Sequence, residues 1–152
     1  MIVQFLRCSV VIALLSILSF TAAHALDNQA DKTIKEFLSS KTSDRESAEP
    51  QGSAVTDLNN DGNQEIILVW TLLGPTYWHN TLTIFSKTAK GYKPVSSLEL
   101  IGEAKLSSVK DGIIYVDHVV YAKGDPRCCP SLKKQIQYRW LGKKIIEITA
   151  GE

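Results

Sequence analysis

The sequence has no excess of charge of either sign, which narrows the partners that the protein can bind. Seventeen Lys and Arg residues face 16 Asp and Glu residues over 152 positions, so the formal net charge is +1 at pH 7. Proteins that bind nucleic acid non-specifically carry a basic surface that neutralises phosphates. The charge balance therefore argues against a nucleic-acid partner.

The motifs of common enzyme active sites are missing as well. The sequence contains no Gly-x-Ser-x-Gly segment, which would expose a nucleophilic serine on a strained turn, and no Cys-x-x-Cys spacing. His118 follows Asp117 in a strand pattern, and no third ligand accompanies the pair at the spacing of a zinc site. A hydrogen-bonded strand histidine is the more common situation, and we expect no catalytic activity.

Long apolar runs are absent except near the N-terminus. There, Arg7 precedes an apolar stretch over residues 10–18, and Ala23-His24-Ala25 follows with small residues at the cleavage positions. This order is typical of a secretory signal peptide, and the run is shorter than the roughly 20 residues of a spanning helix. We expect cleavage after Ala25 and a soluble periplasmic or secreted protein without a stable membrane anchor.

The part that follows the predicted signal peptide is long enough for one domain. Removing 25 of 152 residues leaves 127, which suffices for a single hydrophobic core. Apolar residues at positions 30, 34, 37 and 38 predict a short amphipathic helix. Residues 41–53 lack apolar periodicity and include Pro50 and Gly52, which is typical of a mobile linker. We therefore predict a helix and linker over 26–53 and a single β-rich domain over 54–152.

The C-terminal part of the chain is typical of a β protein. Short runs of β-branched and aromatic residues are separated by turn residues such as Asp111-Gly112 and Gly142-Lys143. Because sequential strands joined by short turns pair antiparallel, we predict a mainly β fold. It would be a meander sheet or a partly closed barrel of about six to eight strands, with one N-terminal helix. The strand candidates are residues 65–73, 81–85, 92–95, 104–109, 112–121, 134–140 and 145–149.

One segment has the spacing of a calcium loop. In DLNNDGNQEI, oxygen-bearing side chains alternate at Asp57, Asn59 and Asp61, and the Asn63 carbonyl and the Glu65 carboxylate can complete the set. Hard cations such as Ca²⁺ prefer six to eight oxygen ligands, and three carboxylates in one loop repel one another without a cation. An Asx-rich turn without metal is the alternative. An EF-hand is excluded because its twelfth position, here Leu68, requires a glutamate.

The segment closely resembles the D-x-[ND]-x-D-G-x-x-[DE] calcium loop of FG-GAP and VCBS repeats. The residues that match are Asp57, Asn59, Asp61, Gly62 and Glu65, and a β-strand follows in both cases. The resemblance implies structural calcium binding. Such repeats occur in several copies that close a propeller, whereas this chain holds one, so the propeller and its ligand-binding functions do not carry over.

A second unusual segment is GDPRCCPS, residues 124–131. If the signal peptide is removed, Cys128 and Cys129 are the only cysteines that remain. Neighbouring Cα atoms lie about 3.8 Å apart, below the usual disulfide range of about 4.4–6.8 Å, so a bond between them would be easily reduced. A vicinal disulfide, two thiols and bridges to another chain all remain open. The segment resembles one found in small exported bacterial proteins and lipoproteins of unknown function, and this resemblance implies no activity.

Two loops have the composition of contact surfaces. The first, residues 74–80, contains Tyr77, Trp78 and His79, and the second contains Asp125 and Arg127.

Taken together, the signal peptide, the calcium loop and the contact loops lead us to expect a monomeric, exported, calcium-stabilised β-rich module that binds an envelope protein or ligand. The alternative is a thiol-dependent redox protein that uses the cysteine pair.

Overall fold

Eight antiparallel strands follow one N-terminal helix in the computed structural model, which describes residues 28–148. The predicted signal peptide, residues 1–25, lies outside the described residues. The helix, α1, spans residues 28–41. The strands are β1 (Ser47–Thr56), β2 (Glu65–Leu73), β3 (Trp78–Thr88), β4 (Gly91–Leu100), β5 (Glu103–Lys110), β6 (Ile113–Val120), β7 (Leu132–Trp140) and β8 (Ile145–Ile148).

The strands form two four-stranded sheets in sequential order. The first sheet has the order β1-β2-β3-β4 and the second has the order β5-β6-β7-β8, and all neighbours are antiparallel. The predicted mainly β meander with one helix is therefore confirmed. The two sheets do not close into a barrel among residues 28–148.

The helix covers one face of the first sheet. Its buried residues Ala30, Ile34 and Leu38 have the spacing of one helix face, and they pack in one cluster with Ile66 and Leu68 of β2. Apolar burial of this kind contributes about 25 cal/mol per Å². The helix predicted from positions 30–38 is confirmed and extends over 28–41. No helix among residues 28–148 is long and apolar enough to cross a membrane.

The opposite face of the first sheet packs against the second sheet. Ile67 and Val69 of β2 belong to one buried cluster with Ile114 and Val116 of β6. Because α1 and the second sheet cover opposite faces of β2, every residue from Glu65 to Thr71 is buried. Burial on both faces explains why the sequence of β2 is a continuous apolar run instead of an alternating one.

Strand β1 corrects the prediction of a mobile linker over residues 41–53. Residues 47–53 belong to β1, which pairs with β2 along one edge of the first sheet. Its pairing register shifts between Pro50 and Ser53, and proline, which has no N–H, is tolerated at such edge positions. At Gly52 a Cβ atom would lie 2.9 Å from the Leu106 Cβ. Backbone pairing with a buried neighbour, and not apolar periodicity, makes this segment a strand.

The connection between the two sheets is only two residues long, Ile101 and Gly102. Gly102 has a φ of +64°, a left-handed conformation that favours glycine. A Cβ atom at this position would overlap the carbonyl oxygen of Val119 in β6. The Asn80 Nδ2 group, from β3, donates a hydrogen bond to the Gly102 carbonyl at 2.7 Å. The crossover is thus held against both sheets.

Substitution of Gly102 by Ala is expected to lower the free energy of unfolding by about 3 kcal/mol or more, because it adds a backbone clash to left-handed strain. The matched control is Gly142→Ala, where φ is +79° and no atom lies within 4 Å of the new Cβ. Its expected loss is about 1 kcal/mol. Urea unfolding of both variants measures the difference, and equal losses would contradict the close packing at Gly102.

Candidate functional site

The two packed sheets form a β-sandwich, and the connections between its strands lie at two opposite ends. At the first, residues 57–64 connect β1 to β2 and lie beside the β5–β6 turn, where a Cβ on Gly112 would be 3.0 Å from the Leu58 carbonyl. We call residues 57–65 the acidic loop. At the second end lie the connections 74–77, 101–102 and 121–131, because Gly102 contacts both Asn80 and the end of β6. We call this the aromatic end.

The acidic loop is organised by hydrogen bonds to its own side chains. The Asp57 carboxylate accepts from the backbone N–H groups of Asp61 and Gly62 at 3.2 and 2.9 Å. The Asp61 carboxylate accepts from the N–H of Asn63 at 2.7 Å and from the Asn59 amide at 2.8 Å. These bonds, led by the one from Asn63, lower the pKa of Asp61. The predicted ligands therefore lie together in one turn.

Glu65 differs from the other acidic residues of the loop because it is buried. It is 1% exposed, and its Oε2 atom accepts a hydrogen bond from the Leu58 N–H at 3.0 Å. Burial raises the pKa of Glu65, and the negative charges of Asp61 and Asp57 raise it further. Neither salt bridge found among residues 28–148 involves Glu65. A buried carboxylate without a cationic neighbour is unfavourable in its charged form.

The donor chemistry of the acidic loop fits a hard cation. All five predicted ligands offer oxygen, which calcium prefers, and a cation would compensate the buried charge of Glu65. The observed bonds are nevertheless those of an Asx-rich turn. Within residues 28–148, no three His, Cys, Asp or Glu side chains converge as a metal site. The residues that would hold calcium are Asp57, Asn59, Asp61, Asn63 through its carbonyl, and Glu65.

The cysteine segment forms a loop that is closed by one carboxylate. Asp125 accepts hydrogen bonds from the N–H groups of Ala122 and Ser131 at 2.7 and 2.8 Å and from the Ser131 hydroxyl at 2.8 Å. These bonds, led by the one from Ala122, lower the pKa of Asp125. Cys128 and Cys129, both exposed, lie at disulfide distance from each other. This geometry corresponds to the vicinal disulfide among the three arrangements left open by the sequence.

Exposed apolar side chains are concentrated at the aromatic end. Eight large hydrophobic side chains are exposed among the described residues, and two of them, Val95 and Leu141, lie elsewhere. The other six come from the ends of β2, β3 and β7 and from the connections between strands. They are Leu73, Tyr77, Trp78, Ile101, Tyr121 and Leu132.

The predicted contact residues differ in what they do at this end. The Tyr77 hydroxyl donates a hydrogen bond to Glu46. Trp78 and His79 belong to β3, so the connection ends at residue 77 and not at 80 as predicted. Asp125 bonds within its own loop, whereas Arg127 is exposed. Trp78 is 44% exposed and is therefore available as a contact residue.

A pair of hydrogen bonds made by a buried histidine, which no sequence pattern indicates, holds the aromatic end together. His118 in β6 is 1% exposed, and its Nδ1 atom donates to the Ile101 carbonyl at 2.8 Å. With the proton on Nδ1, Nε2 accepts from the Tyr138 hydroxyl at 3.2 Å. The expectation that His118 is a hydrogen-bonded strand residue is confirmed. Its partners are distant in sequence, so no local pattern could identify them.

The chain matches no protein-family model, no curated protein and no solved structure. The resemblance of the acidic loop to FG-GAP and VCBS repeats therefore depends on the motif alone.

Acid is expected to destabilise the crossover through His118. Burial lowers the pKa of His118, and Lys134 lowers it further, against the opposing effects of the Ile101 carbonyl, Glu147 and Asp117. A histidine whose folded pKa is depressed contributes stability above its unfolded pKa of about 6.5, and this contribution is lost as the pH falls through the folded pKa.

The corresponding measurement is the melting temperature between pH 7 and pH 5. We expect the melting temperature of the wild type to fall over this range. His118→Phe, which cannot titrate, should melt at a lower temperature at pH 7, and its melting temperature should depend less on pH. The control His79→Gln removes an exposed histidine. Its melting temperature should fall between pH 7 and pH 5 as much as that of the wild type. An unchanged pH dependence in His118→Phe would contradict this account.

Proposed function

We propose that this protein is an exported, calcium-stabilised β-sandwich that binds another component of the bacterial envelope through its aromatic end, without catalytic activity. The observation that supports the binding role is the concentration of six exposed apolar side chains at one end of the molecule. Single exposed apolar residues are normal on any protein. A group of them at one place, with polar neighbours, is typical of an interaction site.

The aromatic end is also held in place before any partner arrives. The Tyr77 hydroxyl is bonded to Glu46, and the Tyr121 hydroxyl donates to the Arg127 carbonyl. The vicinal disulfide and the Asp125 bonds restrict the second loop in the same way. Side chains that are already ordered lose less conformational entropy on binding. This preorganisation favours a binding role over a merely covering role for the aromatic residues.

Calcium would act at the opposite end. The ion would supply positive charge to Asp57, Asp61 and the buried Glu65, and it would fix the start of β2. Extracellular calcium modules bind with dissociation constants of about 10⁻⁴–10⁻³ M. At a calcium concentration ten times the dissociation constant, binding would add about 1.4 kcal/mol to the free energy of unfolding.

Calcium titration after chelation tests this part of the proposal. We expect saturable binding by calorimetry and a rise in melting temperature with calcium. Asp61→Asn keeps one acceptor oxygen, which can still accept the Asn63 N–H, but it replaces the oxygen that Asn59 bonds with a donor and removes the charge. This variant should therefore melt close to the wild type in chelator, and its melting temperature should not rise when calcium is added.

The control is Asp44→Ala, which changes an exposed aspartate outside the acidic loop. This variant should show the full rise in melting temperature with calcium. Two results would contradict calcium binding: no heat of binding at millimolar calcium, or an equal rise in melting temperature in Asp61→Asn. The acidic loop would then be an Asx-rich turn without metal.

A thiol-dependent redox function is the second candidate, and the exposed vicinal disulfide favours it. Two glutathione thiols would supply two electrons and two protons to reduce Cys128 and Cys129, and they would become glutathione disulfide. Structural disulfides of exported proteins generally have potentials below about −300 mV.

A redox function predicts reversible equilibration of the pair with glutathione buffers at a potential above about −300 mV, measured by trapping thiols with a maleimide. Cys128→Ser should abolish both the equilibrium and any associated disulfide reductase activity. A pair that remains oxidised in reduced glutathione would leave the disulfide as a structural restraint on the loop.

A further inference from the structure

Two clefts flank Trp78 at the aromatic end. The first has a volume of about 290 Å³ and is lined by Leu73, Trp78 and Glu103, together with the polar residues beneath them. The second, of about 420 Å³, is lined by Trp78, Glu99 and Ile101 on the other side. Trp78 thus lines both clefts. We call this pair the Trp78 clefts.

The charges that line the Trp78 clefts are of one sign. Glu103 lines the first cleft and Glu99 the second, and neither cleft is lined by Lys or Arg. The Glu99 side chain is 72% exposed, and its partner is His79 at 3.0 Å. Neither salt bridge among residues 28–148 involves Glu103. Neither carboxylate therefore forms a salt bridge with a Lys or Arg side chain of the described residues, and both line a cleft beside the exposed Trp78.

Two of the polar side chains that line the clefts, Thr71 and Asn80, are already paired. The Thr71 hydroxyl donates to the Asn80 side-chain oxygen, and the Asn80 amide donates to the Gly102 carbonyl. The Thr71 and Asn80 donors are consequently not available to an anionic ligand. An anion in either cleft would instead face a glutamate, which costs electrostatic energy.

We infer that the Trp78 clefts bind a cationic side chain, an arginine or lysine in a basic segment of the partner protein. A guanidinium or ammonium group within about 6 Å of an indole face is attracted by the ring, and carboxylates form charge-assisted hydrogen bonds with the same groups. Trp78 and one glutamate line each cleft. The inference rests on the proposed binding role of the aromatic end and specifies the chemistry of the partner there.

Hydrophobic surface at the rim suits the aliphatic part of such side chains. Lys and Arg place their methylene stems along apolar surface while the charged group reaches a polar partner. Leu73 and Ile101 provide this surface, and Ile101 is 57% exposed. Two clefts on one tryptophan also fit two cationic residues of the same segment, since successive side chains of an extended peptide point to opposite sides.

Titration of the purified protein with a hexa-arginine peptide tests the inference. Trp70 and Trp140 are buried, whereas Trp78 is exposed, so a change in the accessible tryptophan fluorescence reports on the clefts. We expect saturable binding that weakens as salt is raised, because exposed charges are screened. The double variant Glu99→Gln/Glu103→Gln should bind about tenfold more weakly, given the small energy of each exposed charge pair.

Two matched controls remove charge elsewhere. Glu36→Gln/Glu147→Gln changes two exposed glutamates away from the clefts, and Asp61→Asn changes the acidic loop. Both should retain the wild-type affinity for hexa-arginine. An equal loss in either control would show attraction to net charge alone and would overturn the inference.

The remaining outcomes separate this inference from the proposed function. Stronger binding of a hexaglutamate or a neutral apolar peptide at Trp78 would overturn the cationic specificity while leaving the aromatic end a binding surface. If no peptide changes the Trp78 signal, the inference is overturned as well. The calcium titration described above does not involve these residues, so it decides the stabilising role of the acidic loop independently.

Discussion

The two-residue crossover between the sheets is the constraint on which the aromatic end depends. Asn80 of the first sheet bonds the Gly102 carbonyl, and His118 of the second sheet bonds the Ile101 carbonyl. Consecutive backbone groups are therefore held from opposite sides, and buried polar groups of this kind are costly to leave unpaired. Gly102 leaves no space for a side chain. Because Ile101 is part of this crossover, the same bonds that join the sheets also place an apolar residue beside Trp78.

Several elements of the fold could be predicted from the sequence because their causes are local. Residues 65–73 were assigned correctly as a strand since both faces of β2 are buried and the sequence is apolar throughout. The apolar spacing of the helix predicts it correctly. The prediction of a linker over residues 41–53 is wrong because the stability of β1 comes from pairing with β2, and no local signal records that pairing. The shifted register at Pro50 and Gly52 further obscured it.

The acidic loop and the aromatic end also differ in how far the sequence predicts which of their residues lie together. The residues of the acidic loop are close in sequence, so alternation alone placed Asp57, Asn59 and Asp61 in one turn, as the hydrogen bonds show. The aromatic end combines strand ends that are distant in sequence. Trp78 is placed beside Leu73 by the register of β2 and β3, and Ile101 is placed there by the crossover. Composition identified the aromatic residues, but only the sheet topology shows that they share one end with the disulfide loop.

The irregular course of β1 has a consequence for association between chains. A regular edge strand presents a row of unpaired N–H and C=O groups to which another chain can add a strand. In β1, Pro50 lacks an N–H group, the register shifts before Ser53, and Gly52 packs closely against Leu106 of β5. These features interrupt the regular row of donors and acceptors. The β1 edge of the first sheet is thereby protected from the strand addition that leads to sheet-mediated aggregation.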